Sequence, residues 1–254
     1  MIVAIHQPCF LPWLGYLQRM AHADIFVLLD HVQFERANYQ NRTRVRMRAG
    51  APGASDEARW ITVPVIQRSR SERILEKEID NRPAGRRWNE AALATLRHAY
   101  REAPYANLYF PALKDLLDAP WTRLVDLNEA GLELLRNAFG IRTPIVKSSE
   151  LGVSGAKSAL ILEICLALGA DAFLGGLGGS RGYIDEAAFA RAGVRVLWQD
   201  FLHPEYRQCG MGPFIPGLSG LDLLLNAGPQ ARHLFLHQRR AEAAAGAAEL
   251  RQAA

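Results

Sequence analysis

Pro8 and Pro12 constrain this chain more than any other feature near its start. They follow the apolar stretch Ile2–His6, and neither tolerates a helix interior or a central strand. The chain must therefore leave its first strand through an irregular loop. From Trp13 to Ala23, Leu14, Leu17, Met20 and Ala21 recur at helical spacing. Ile25 to Leu29 is a continuous apolar run ending at Asp30, the pattern of a strand buried on both faces. Strand, proline-rich loop, helix and strand make a βαβ unit. This predicts an α/β fold with a mostly parallel sheet, right-handed crossovers and flanking helices.

The rest of the chain punctuates similarly. Val32 to Arg48 reads as extended structure and loop, and Ala49 to Ala58 as a turn-rich surface insertion. Trp60–Val65 reads as a strand that Pro64 confines to an edge or a bulge. Helices are expected over Trp88–Ala99, Pro111–Asp118 and Thr122–Phe139, the last closed by Gly140. Further strands are expected at Ile145–Val146, Ala172–Leu174 and Val194–Trp198, and helices at Lys157–Leu168, Asp185–Ala192 and Leu221–Leu225. Ser154 and Ser219 read as helix N-caps. The organisation is one α/β domain over 1–237, with a helical insertion around 85–140 and a solvated or disordered tail over 238–254.

Composition narrows the function classes. Half the residues (49%) are hydrophobic, so the chain has ample material for a core. No apolar run reaches the roughly 18 residues a membrane span requires, and the N-terminus has no basic region ahead of a long apolar stretch. No membrane association is expected. Cys9, Cys165 and Cys209 are too few and too scattered for a disulfide framework or a metal knuckle, which points to a reducing cytoplasm. His233 and His237 have metal-compatible spacing without an acidic or thiol partner, so no metal is expected. Lys and Arg outnumber Asp and Glu by 30 to 26, with arginines clustered over Arg42–Arg48 and at Arg68, Arg70 and Arg73. Such clusters suit phosphates or carboxylates, or form a solvated face.

Candidate chemistry falls into three segments. His6 and Gln7 end the first strand, where side chains of open α/β sheets meet ligands, and Gly15 allows a ligand close to the following helix. Asp30 ends the second strand, with Asn41 and Arg42 a little further on, Arg42 being suited to a phosphate or carboxylate. The third segment holds His203, Glu205 and Gln208, followed by Asp222 and Asn226 one helical turn apart. Between them, Gly175–Gly182 offers backbone N–H groups to an anion, with Arg181 as counter-charge and Tyr183 beside it. His6, Asp30 and Glu205 are the candidate acid–base residues. Gln7, Gly15, Tyr16, Asn41, Arg42, Arg181, Tyr183, Gln208, Asp222 and Asn226 are the candidate substrate contacts. Cys9 is the one thiol placed for nucleophilic catalysis.

The runs Gln7-Pro8-x-Phe10-Leu11-Pro12-Trp13-x-Gly15-Tyr16, Ala23-Asp24-x-Phe26-Val27 and Asp30-x-Val32-Gln33-Phe34 resemble the WbqC-like family. The resemblance continues through Asn41-Arg42, Trp60–Val65, Gly169–Gly176, Tyr183-Ile184-Asp185, Glu205-Tyr206-x-Gln208 and Pro216–Gly228. One segment departs from it. Where the family has Ser-Gly-Pro, this chain has Gly175-Gly176-Leu177-Gly178-Gly179, which removes a hydroxyl and a rigid proline. The resemblance implies a bacterial protein of surface-polysaccharide or related biosynthesis. It also implies transfer of an aminoacyl group, glycyl for example, or an acyl group to the amine of an amino sugar. The donor would be an aminoacyl-tRNA, an aminoacyl adenylate or a carrier-protein thioester. A second similarity is to the strand–loop–helix unit of HIGH-type nucleotidyltransferases, with Trp13 and Tyr16 standing where that signature has histidines. It implies a Rossmann-like core and, under that alternative, ATP and Mg²⁺. A non-catalytic binding protein of a biosynthetic complex is the third reading.

Overall fold

The structure is a computed structural model that describes residues 1–48, 55–82, 87–176 and 178–235. Most of the expected 49–58 insertion, residue 177, His237 and the whole of the expected tail lie outside the described residues.

The opening unit forms as the sequence dictates. Strand β1 (Ile2–His6) leads through the proline loop to helix α1 (Leu14–His22) and strand β2 (Ile25–Leu28), and β1 and β2 pair in parallel. Strands β3 (Arg42–Met47) and β4 (Glu57–Thr62) then form a separate antiparallel ribbon. Strand β4 thus starts and stops earlier than expected, leaving Pro64 beyond its end, where the missing N–H costs no ladder bond.

Helices α2 (Trp88–Ala99), α3 (Ala106–Asp118) and α4 (Leu124–Phe139) follow. Helix α3 runs through Pro111 rather than starting there. The Asn107 carbonyl that loses its partner belongs to an exposed residue, and Pro111 is exposed too, so water can serve that carbonyl. Gly140 ends α4 at φ 67°, and an added Cβ would run into the Arg232 guanidinium.

Strand β5 (Ile145–Lys147), helix α5 (Lys157–Ala167), strand β6 (Ala172–Gly175), helix α6 (Glu186–Arg191), strand β7 (Arg195–Trp198) and helix α7 (Gly220–Ala227) complete the described chain. Ser154 does not cap α5. The cap position is Ala156, without a side-chain bond, after a turn in which Gly152 and Gly155 both have positive φ. Ser219 does cap α7, accepting from the Leu221 N–H.

The main sheet has five parallel strands in the order β5-β2-β1-β6-β7. Alternate residues feed two cores. Ala4, Phe26, Leu28 and Leu174 pack with α1, α4 and α7, whereas Val3, Ile5, Val27, Leu29 and Phe173 pack with α5 and α6. From β1 the chain builds outward through β2 to β5, then returns past β1 to β6 and β7. The strand order therefore reverses between β1 and β6. In Rossmann-like sheets a crevice opens at that point beyond the carboxyl ends of the strands.

Candidate functional site at the carboxyl ends of β1 and β6

His6 ends β1 and lies partly buried against the rings of Trp13 and Tyr16, with centroids 5.6 and 4.7 Å away. Its Nδ1 is 2.9 Å from the Gln7 carbonyl. A carbonyl can only accept, so Nδ1 carries the proton and Nε2 keeps its lone pair. Burial, aided by the charge of Arg19, lowers the His6 pKa from 6.5 to about 3. His6 is thus a neutral imidazole throughout the physiological range. Cys9 lies 3.9 Å from the same Nδ1, but burial pushes its thiol far above the usual range. It is no thiolate, and the structure does not support it as a nucleophile.

Arg19 completes this cluster, and sequence reasoning missed it. By helical period it belongs to the polar side of α1, yet only 5% of its surface is exposed, and Gln18 beside it is equally enclosed. Burial lowers Arg19 to about 10, opposed by Tyr16, Cys9 and Tyr183. Nothing in a 3.6-residue period announces that a helix will be covered on its polar side as well. The Tyr16 hydroxyl and Arg19 Nε are both buried without a hydrogen-bond partner. Gly176, just past β6, must be bare, because a Cβ there would overlap the Arg19 guanidinium.

Gln7 accepts from Gln40 Nε2 at 2.8 Å, and Gln40 in turn accepts from the Glu35 N–H at 3.0 Å, which fixes the loop after β2 to the end of β1. An aromatic row leads outward: Trp13 meets Tyr39 at 4.6 Å, and Tyr39 meets Trp60 at 5.0 Å. The Arg42 guanidinium lies 4.0 Å over the Trp60 ring. Tyr183 lies within electrostatic reach of Arg19 and Glu35, whereas Arg181 stacks over Trp198 at 5.3 Å. The Gly15 carbonyl accepts from Gln199 Nε2 at 2.7 Å, tying α1 to the end of β7.

Other sequence candidates hold the scaffold. Asp30 accepts from the Ser148 hydroxyl and from the Ser149 N–H and hydroxyl, closing the loop after β5 onto the end of β2. Asn41 donates to the Val63 carbonyl at 2.8 Å. Asp222 is fully buried and accepts from the Tyr206 hydroxyl (2.6 Å) and Gln208 Nε2 (2.8 Å). Burial raises its pKa, and those two hydrogen bonds oppose the rise. Gln208 also accepts from Arg46, itself paired with Asp56. Asn226 accepts from the Cys209 N–H and donates to the Asp222 carbonyl. Glu205 is exposed. Among the described residues, no hydrogen bond or ion pair joins His6, Asp30 and Glu205.

The distant segments meet at the proline loop in another way. Thr43 Oγ1 and Ser219 Oγ both donate to the Leu11 carbonyl, each at 2.8 Å. Leu11 has φ 43°, a left-handed conformation that a leucine adopts only under constraint. Both hydroxyls hold that strained residue in place, and Trp13 bridges to Ser219 in addition.

A groove of about 540 Å³ opens between α2 and α3, lined by Arg97, Arg101, Asn107, Phe110 and Lys114 among others. It includes none of the candidate catalytic or substrate-contact residues. Among the described residues no helix is long and apolar enough to cross a membrane.

No solved structure matches the chain. A protein of Mycobacterium tuberculosis (strain ATCC 25618 / H37Rv), described as uncharacterized protein Rv1507c, is 30% identical over 236 residues, covering 90% of this chain and 95% of its own length. The family model for the WbqC-like proteins matches residues 7–234, from the proline loop described above to the helical segment beyond α7. The chain belongs to the WbqC-like protein family.

Proposed function

We propose that this protein is a cytoplasmic transferase that passes an aminoacyl group, glycyl for example, or an acyl group to the amine of a small molecule. An amino sugar of bacterial polysaccharide or natural-product biosynthesis is the acceptor the family suggests. The single observation that carries the reading is His6. It is a neutral imidazole with an unprotonated Nε2 at the end of the central strand, beside the point where the sheet order reverses.

In the reaction, a neutral amine nitrogen attacks the carbonyl carbon of the activated donor, and a C–N bond forms. The bond from that carbon to the leaving oxygen or sulfur breaks. One proton passes from the nitrogen through Nε2 to the leaving oxygen or sulfur, which departs with the bonding pair, so that no imidazolium is retained in a site that disfavours its charge. The Trp13–Tyr39–Trp60 row suits the flat face of a sugar or base, and Arg42 at its outer end suits a negative group. The test supplies glycyl-tRNA, glycyl adenylate or a glycyl thioester together with an amino-sugar nucleotide. The expected result is a glycyl mass increment on the sugar with one donor, lost in His6→Ala. No increment with any donor removes the reading.

A second reading, a nucleotidyltransferase-like or ATP-dependent ligase, is favoured by the strand order and by the loop between the central strand and α1. Calorimetry with ATP and Mg²⁺ separates the two, since a pre-activated donor requires no ATP binding.

A further inference from the structure

A charge taken out of water is normally met by an opposite charge, because the desolvation cost amounts to several kcal/mol for an unmatched ion. Arg46 obeys this rule through Asp56, and Lys77 through Glu72. Arg19 does not. Among the described residues no carboxylate lies within ion-pair distance of it, although the side chain is as enclosed as that of Arg46. The groups that act on it electrostatically are two tyrosines and a thiol. Each of these is neutral near pH 7, since burial raises all three pKa values.

We propose that Arg19 and the Tyr16 hydroxyl, with the guanidinium packed against Gly176, form a built subsite for an oxyanion of the ligand, phosphoryl or carboxylate. Four observations meet there. Arg19 Nε and the Tyr16 hydroxyl are buried donors without partners. Gly176 carries no side chain where the guanidinium packs, so the charged group lies directly against the backbone just past β6. The first turn of α1 has no side-chain cap, and although the Tyr16 and Leu17 N–H groups donate to the Trp13 carbonyl, the positive end of the helix faces the loop. The place is the reversal point of the strand order, between β1 and β6. An anion seated there supplies the missing counter-charge and accepts from both orphaned donors. The inference rests on the reading of this edge as the ligand site, and it names what the site grips.

The test uses the full chain, with sodium pyrophosphate and sodium acetate as separate probes. Calorimetry and thermal melting are run on the wild type, Arg19→Met, Gly176→Ala and Arg123→Gln. The wild type should bind one of the two probes at one site per chain and melt higher in its presence, and the probe that binds tells phosphoryl from carboxylate. Arg19→Met, which removes an unmatched buried charge at similar volume, should melt at or above the unliganded wild type while its affinity falls by about tenfold or more. Gly176→Ala keeps the charge but crowds it, and should also weaken binding. Arg123→Gln, a loss of one exposed charge at the residue before α4, should bind as the wild type does. The proposal is overturned if neither probe binds, if Arg19→Met binds unchanged, or if Arg123→Gln weakens binding equally. It is also overturned if Arg19→Met melts lower or fails to fold, since the guanidinium would then already be satisfied within the protein. Loss of glycyl transfer with the binding results intact would remove the transferase reading and leave the subsite standing.

Discussion

His6 shows how far a single residue was legible. Its position after an apolar strand marked it as a ligand-facing group, and the structure adds the protonation state, which only packing decides. In the folded protein its pKa is about 3, and in the unfolded chain it is near 6.5. Between these values the unfolded state binds more protons, so stability rises with pH. The contribution is whole above pH 6.5 and is lost as pH falls toward 3, at up to about 1.4 kcal/mol per pH unit. Urea unfolding of the wild type and His6→Gln at pH 7, 5.5 and 4 should therefore show the wild type losing more stability on acidification. Parallel curves would mean that His6 is not held neutral. Arg19 was not legible at all, because the walls that enclose it come from the end of β6 and from the tyrosine beyond.

At the scale of elements, caps and strand ends were readable where the local chemistry is self-sufficient. Ser219 announced itself as an N-cap, and Gly140 as a left-handed stop. Ser154 looked equally convincing, but a turn of left-handed glycines carries the chain into α5 instead. Asp222, a candidate substrate contact by its place on α7, instead has its carboxylate held by Tyr206 and Gln208. Ser219→Ala should cost about 1–2 kcal/mol, because it removes both the cap and one of the two donors on the Leu11 carbonyl. Ser219→Thr retains both hydroxyl functions and should lie close to the wild type. Urea midpoints at unchanged slope measure this, and equal losses in the two variants would contradict the double role. Gly140→Ala should cost about 1–2 kcal/mol through its left-handed backbone, and more through the clash with Arg232.

For the whole molecule, the class of fold followed from the first βαβ unit, since a buried apolar strand, a crossover helix and a second such strand admit little else. The strand order did not follow, because sequence patterns say that strands are buried and not which neighbours they choose. For the same reason the candidate acid–base residues could be named but not assembled. The two cores share the strands of one sheet, β1 supplying Ala4 to one and Val3 and Ile5 to the other. Ile164→Ala, in the α5 core, should cost about 2–5 kcal/mol. Tryptophan fluorescence and far-ultraviolet circular dichroism should still report coincident unfolding in that variant. Separated transitions would show the two faces melting apart.

The paired hydroxyls on the Leu11 carbonyl come from positions 32 and 208 residues downstream. Their consequence is one of timing. A chain still emerging from the ribosome holds its proline loop without either restraint, then with one, and acquires the second only after residue 219 has been made. Full restraint of the first-made loop thus arrives among the last events of synthesis, and a product cut short before residue 219, however well its sheet has formed, lacks one of the two hydroxyls that hold it.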